Sequence, residues 1–312
     1  VPRRPFRPGR AGSLAYIACV YVLAVALAWW VFHAVDAPPL LAMALGLLAS
    51  TSVTYAFTLH ADNGSVFDAW WSVMPPFAAL YMTGLSGHAE LTPRQVALHA
   101  VVWFWAVRLT VNWARGWSGL DHEDWRYVQL ARQWPLPRWA VRLLAVEIFP
   151  ALIVTLGCLP LYPALALGDD GFGWLDGLAL AIGIAAVATE LVADEQLHSF
   201  ARTRQPGELL DRGLWRYARH PNYFGEIAFW VSLWLFGLSA APGWWWTGVG
   251  VLAMIGMFVS ASVPMLDERS RERRPGFAAY AARTRAIVPW PRRRDAPGTG
   301  SDPEDGQAGA AG

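Results

Sequence analysis

The stretch LWRYARHPNYFGEIAFW, residues 214–230, sets two arginines, a histidine, an asparagine and two tyrosines directly ahead of an apolar run. The pattern recurs along the chain: polar groups crowd the mouths of apolar stretches and are scarce within them. Hydrophobic residues make up 55% of the 312 positions, and the mean hydropathy is +0.28. Charged residues make up 16% and are clustered. The apolar stretches run about 20 residues, enough to cross a hydrocarbon layer of about 30 Å at 1.5 Å per residue. An all-α, multi-pass transmembrane bundle follows, with about eight spans at 13–35, 39–60, 66–86, 94–112, 139–162, 174–194, 224–241 and 243–265. The first span is too long and lacks the small-residue cleavage site of a signal peptide, so a retained helix is expected.

All 25 basic residues are arginine. Four lie in the N-terminal arm, four at 115–138, five at 202–219 and nine after the last span, which puts 22 on one side. The opposite side carries only Arg94, while Arg108 and Arg142 lie within or at the ends of spans. The positive-inside rule then predicts that both termini and the two long polar connections are cytoplasmic. The expected organisation is a basic arm over 1–12, a membrane domain over 13–290 and a Pro/Gly-rich disordered tail over 291–312. Lipid-facing surface is expected, and the net charge of +1 gives no reason to expect nucleic acid. With Cys19 and Cys158 both inside spans, and no CxxC or His-rich tract, no metal site is expected.

Three polar segments share the arginine-rich face: 108–130, 193–226 and 267–280. Topology and anionic lipid account for any single arginine. Carboxylates and amides at helical depth need more, because each costs a few kcal/mol unless it is paired or wet. Asn112 ends the fourth span, Asp194 and Glu195 end the sixth, and Asn222 and Glu226 open the seventh. Guanidinium forks suit phosphate oxygens, and Tyr and Trp rings suit flat heterocycles. Neither GxGxxG nor a P-loop sequence occurs, so a nucleotide here is held by arginines and helix ends.

GLWRYARHPNYFGE (213–226) with the preceding RQPGE (204–208) resembles the C-terminal signature of the steroid 5-alpha-reductase superfamily, and NWARGWSGLDHEDWRY with ADEQLHSF resembles a bacterial branch of it. The resemblance covers roughly residues 50–290. It implies an all-helical membrane fold, bacterial inner-membrane localisation, and NADPH in a cytoplasm-facing cavity between the later helices. It places Asn222 at the nicotinamide, Asp194 and Gln196 at the adenosine or ribose, and Arg204 at a phosphate. Trp215, Arg216, Tyr217, Arg219, His220 and Tyr223 are implied to line the same cavity. Arg108, Asn112 and Arg115 are implied as a cluster on the fourth span, Arg269 and Arg273 as further cofactor contacts, and Glu226 as an orienting carboxylate. The implied reaction is reduction of the C=C bond of an apolar α,β-unsaturated carbonyl, steroid-like or a lipid enone, with a protein acid polarising the carbonyl.

The sequence departs from that family on an early helix. WWSVMPPF (70–77) offers Val73 and Met74 where steroid reductases carry a carboxylate before proline. Asp68, with Tyr55 or Tyr81, is the substitute, although an Asp at a span start also serves as a helix cap. His220 precedes Pro221, which holds its backbone extended and aims its ring. Glu123 and Arg126 have the spacing of a surface pair. The rival reading is an S-adenosylmethionine-dependent membrane methyltransferase of the isoprenylcysteine carboxyl type, which shares the Arg-His-Pro-x-Tyr core and an acidic-basic end like DERSRERRPGFAAY. A transporter would put polar groups near mid-membrane.

Overall fold

A computed structural model describes residues 8–168 and 171–291. Arg3, Arg4 and Arg7 of the basic arm and all but the first residue of the 291–312 tail lie outside the described residues. Ten helices follow in order: α1 Arg10–Ala34, α2 Pro39–Ala61, α3 Trp70–Gly84, α4 Pro93–Gly116, α5 Trp125–Gln133, α6 Arg138–Gly157, α7 Trp174–Thr203, α8 Pro221–Ala240, α9 Pro242–Arg273 and α10 Phe277–Arg283. The described residues form no strand; Ala218 and Arg285 make one isolated parallel bridge.

Seven helices are long and apolar enough to cross a membrane: α1, α2, α4, α6, α7, α8 and α9. The exception among the eight expected spans is α3. A 3₁₀ turn at Gly64–Val66 uses up the start of that stretch, leaving a helix of 15 residues, about 22 Å. The sequence marks where the helices begin. Proline opens α2, α4, α8 and α9, where its missing N–H costs nothing. Thr92 and Gln95 form a reciprocal capping box at α4. Asp124 caps α5 by accepting from the Arg126 amide at 2.8 Å.

Two close approaches fix the later helices. A Cβ on Gly225 of α8 would fall 2.8 Å from the Ala186 carbonyl of α7, so only glycine lets these backbones meet. Gly250 of α9 lies equally close to α6, where a Cβ would stand 2.2 Å from the Leu156 carbonyl. Between α4 and α8 the core is aromatic: Trp105 stacks on Phe229 at 4.3 Å and meets Trp230 edge-on at 5.5 Å. At the end opposite the arginines, Arg94 is buried on Asp176 at 2.8 Å.

Candidate functional site

Two cavities abut at the arginine-rich rim. The first, about 640 Å³, lies among the ends of α7 and α9, the start of α8, α10 and the 204–220 segment. The second, about 740 Å³, lies deeper, among α3, α4, α6, α7 and α9. Leu197 and Tyr223 line both and form the wall between them. The Tyr223 ring is held by stacking on His220 at 5.3 Å and on Phe258 at 4.4 Å.

Of the residues predicted to bind cofactor, Arg204, Trp215, Arg219, His220, Asn222, Tyr223, Arg269 and Arg273 line the first cavity. Arg219 is already engaged there. Its guanidinium pairs with Asp267 at 2.7 Å and donates to the Thr284 carbonyl at 2.5 Å, while its amide donates to Arg285. His220 Nε2 meets the other Asp267 oxygen at 3.0 Å. These two signature residues therefore clamp α9 and the 284–286 segment onto the start of α8.

Arg204, Arg273 and Arg274 behave differently. All three line the cavity, and none forms a salt bridge among the described residues. Burial, and then the like charges of Arg204 and Arg273, push the Arg274 guanidinium below its ordinary value. Glu208, a carboxylate that also lines the cavity, accepts from the Gln205 amide at 2.8 Å instead, and like charges gathered without a salt-bridge partner are the electrostatics of a polyanion site. Arg269 lies 3.8 Å over the Trp125 ring, which closes the same cavity from α5.

Asp68, Asn112 and Asp194 line the second cavity instead. Asp68 accepts a hydrogen bond from the Tyr127 hydroxyl, and Asn112 Oδ1 meets His198 Nε2 at 2.7 Å. Aromatic and aliphatic side chains from α3, α4, α6 and α9 line one side, and Asp124, Arg126 and His122 add polar groups at the α5 end.

The other predicted site residues line neither cavity. Arg108 is buried between Glu190 and Asp194, the latter at 2.7 Å, because α7 brings two carboxylates one turn apart to its guanidinium. Arg115 pairs with Glu195 on the exposed surface. Gln196 is taken up as acceptor for the Leu214 amide at 2.9 Å. Glu226 accepts both the Trp105 and Trp230 indole N–H groups, at 3.1 and 3.0 Å. Arg216 and Tyr217 are exposed. Tyr81 stacks on Phe32 at 4.7 Å, and the Tyr55 hydroxyl donates to the Trp139 carbonyl at 3.1 Å, so neither reaches Asp68's cavity.

Sequence reading missed Trp125, Tyr127, His198, Asp267 and Arg274. His198 stands one helical turn beyond Asp194, and Arg274 follows Arg273, so both carried a local signal. Tyr127 and Asp267 carried none, since their partners are 59 and 47 positions away.

The profile of the family described as "protein of unknown function (DUF1295)" matches residues 54–284, and the chain belongs to that family. It is similar to an uncharacterized protein of Schizosaccharomyces pombe, 26% identical over 274 residues, which are 78% of this chain and 79% of that protein. No solved structure matches the chain.

Proposed function

With membership of this family as the premise, we propose that the protein is an integral membrane oxidoreductase that uses NADPH to reduce the C=C bond of an apolar α,β-unsaturated carbonyl. One observation carries the reading: a guanidinium-lined cavity and a largely apolar cavity with a carboxylic acid share the single wall of Leu197 and Tyr223. The likeness of the DUF1295 family to steroid 5-alpha-reductases supports it. The arginine-rich rim faces the cytoplasm in this reading, as do both termini, with 13–290 the catalytic domain in a bacterial inner membrane.

Each group has a stated part. Arg204, Arg273 and Arg274 hold the phosphates, and Trp125 and Tyr280 flank the adjoining rings. Asn222 presents its amide beside the Tyr223 wall, where the nicotinamide belongs. NADPH held in this way supplies the hydride, which goes to the β-carbon of the substrate. The π electrons move to the carbonyl oxygen, where protonated Asp68, itself held by the Tyr127 hydroxyl, donates a hydrogen bond to the developing enolate. Asp68 gives up its proton, which ends on the α-carbon, and is reprotonated from the rim, so the substrate gains one hydride and one proton. The apolar wall keeps water from the reacting carbons.

The rival methyltransferase reading has no use for three arginines that form no salt bridge among the described residues, since S-adenosylmethionine carries no phosphate. The test is thermal unfolding of detergent-purified protein. NADPH raises the midpoint and S-adenosylmethionine leaves it unchanged; the reverse pattern replaces the reductase by the methyltransferase.

A further inference from the structure

The chain between the rim helix α5 and the spanning helix α6 reads RQWPLPRW over 132–139, and every one of these residues is exposed. Trp134 is 42%, Leu136 40% and Trp139 56% open. Large apolar side chains gathered this closely at one elbow call for a neighbour that covers them.

The level of the elbow identifies that neighbour. The membrane-crossing helix α6 begins at Arg138, directly after it. There Arg138 and Arg142 share Glu123 and Asp62, with Arg142 and Glu123 at 2.7 Å, and this charged knot marks the edge of the apolar layer. The Tyr55 hydroxyl of α2 donates to the Trp139 carbonyl at 3.1 Å and ties the end of the elbow to the same level. Trp134 and Leu136 therefore stand among lipid headgroups, where indole rings are favoured.

The covalent make-up of the elbow fits this layer. Pro135 and Pro137 carry no N–H, and the Trp134 amide is taken by the Leu130 carbonyl at 3.1 Å, so little of the backbone calls for water. Arg132 forms no salt bridge among the described residues, whereas Arg126 and Arg138 on either side of it do. A guanidinium without a carboxylate, set beside apolar side chains at the bilayer edge, is complementary to a lipid phosphate.

Helix α5 needs such a hold. None of its residues is buried, and it packs chiefly on the start of α6. Its first turn is pinned by Arg269 over Trp125 at 3.8 Å and by the bond from Tyr127 to Asp68, and the preceding Asp124 amide donates to Ser65 at 3.0 Å. Side chains 130–133, at its other end, make no hydrogen bond or ion pair among the described residues.

We propose that the 132–139 elbow is a phospholipid-binding element: Trp134 and Leu136 lie in the headgroup layer, Arg132 takes a lipid phosphate, and the bilayer thereby holds α5 over the two cavities. Trp125 lines the first cavity and Tyr127 the second, so the seating of the elbow positions both. None of this rests on the reductase reading.

The test uses the full chain in vesicles of phosphatidylethanolamine and phosphatidylglycerol. A nitroxide is placed on Leu136→Cys in a Cys19→Ser background, where the remaining Cys158 is buried. Its ratio of collisions with oxygen to collisions with a water-soluble nickel chelate stands several-fold above that of the same label on Arg212→Cys, an exposed position. Arg132→Gln lowers the ratio at 136 in these vesicles and leaves it unchanged in vesicles of an uncharged galactolipid. The double variant Trp134→Ser/Leu136→Ser melts as wild type in detergent, yet in the vesicles trypsin cuts it after Arg132 about tenfold faster, equivalent to about 1.4 kcal/mol of local opening. A ratio at 136 equal to that at 212 overturns the proposal, as does equal cleavage of wild type and the double variant. A label shielded from both reagents and broadened by a neighbouring label also overturns it, because a second copy of the chain then covers the elbow. An Arg132→Gln ratio equal to wild type in both kinds of vesicle overturns the phosphate contact.

Discussion

The Tyr127 hydroxyl donates to the Asp68 carboxylate across 59 positions of sequence, from the short rim helix α5 to the connection ahead of α3. Burial pushes Asp68 up to about 6, against the Arg126 charge and the Tyr127 hydrogen bond, which pull it down. Burial, reinforced by the Asp68 charge, holds the Tyr127 phenol well above its ordinary value. The carboxyl therefore keeps its proton well above the ordinary range of an Asp, up to about pH 6, at the polar end of the cavity. In the reductase reading, Asp68→Asn and Tyr127→Phe each lower kcat by roughly 10²- to 10⁴-fold, the usual worth of a positioned acid. The NADPH-induced rise in unfolding temperature stays intact in both, as isothermal calorimetry or a melting curve would register.

The same carboxyl sets a pH signature. In the reductase reading the acid form is the active one, so turnover declines as pH rises through about 6, and the limb is absent in Asp68→Asn. Stability moves in the same sense. The folded state holds this proton more tightly than an unfolded Asp of about 3.9, so the contribution is full below pH 4 and is lost as pH rises through the folded value. Denaturation midpoints of wild type and Asp68→Asn between pH 4 and 8 measure the difference.

Arginines of the first cavity divide into two kinds that calorimetry separates. Arg204→Gln, Arg273→Gln and Arg274→Gln each cost about 1.5–3 kcal/mol of NADPH binding, as for a hydrogen bond to a charged group, and leave the melting point of the ligand-free protein unchanged. Arg219→Ala also abolishes the NADPH response, but by releasing the clamp. It leaves Asp267 with His220 as its remaining partner and lowers ligand-free stability by up to about 3–5 kcal/mol, the cost of breaking a buried pair.

Arg108→Met has no direct part in ligand binding and a large effect on folding. It leaves Glu190 and Asp194 without their shared cation inside a membrane-spanning bundle, a loss of about 3–5 kcal/mol. The monodisperse fraction on size-exclusion chromatography falls accordingly, while Arg115→Met, at an exposed pair, elutes as wild type.

What the sequence made legible was whatever is stated locally. Charge segregation along the chain placed every arginine of the first cavity on one rim, and the signature at 213–226 placed Asn222 and Tyr223 at its wall. What stayed hidden was how charges are spent. Arg108, Arg219 and Glu226 read as ligand contacts, but α7, α9 and two tryptophans bring them partners from positions far along the chain. The third span read as a full crossing because hydropathy does not register the 3₁₀ turn at Gly64–Val66. Asp68 was legible as the unusual carboxylate, but its phenol was sought on α2 and α3, whereas α5 folds across the rim to deliver Tyr127.

In the reductase reading, the position of Tyr223 limits how hydride donor and alkene can meet. Reacting carbons must come within about 3–3.5 Å for transfer, and an aromatic ring interposed face-on is itself about that thick. Transfer must therefore pass the rim of the phenol, on the side where Leu197 completes the wall, which confines the reaction to one stereochemical face of the nicotinamide and one face of the alkene.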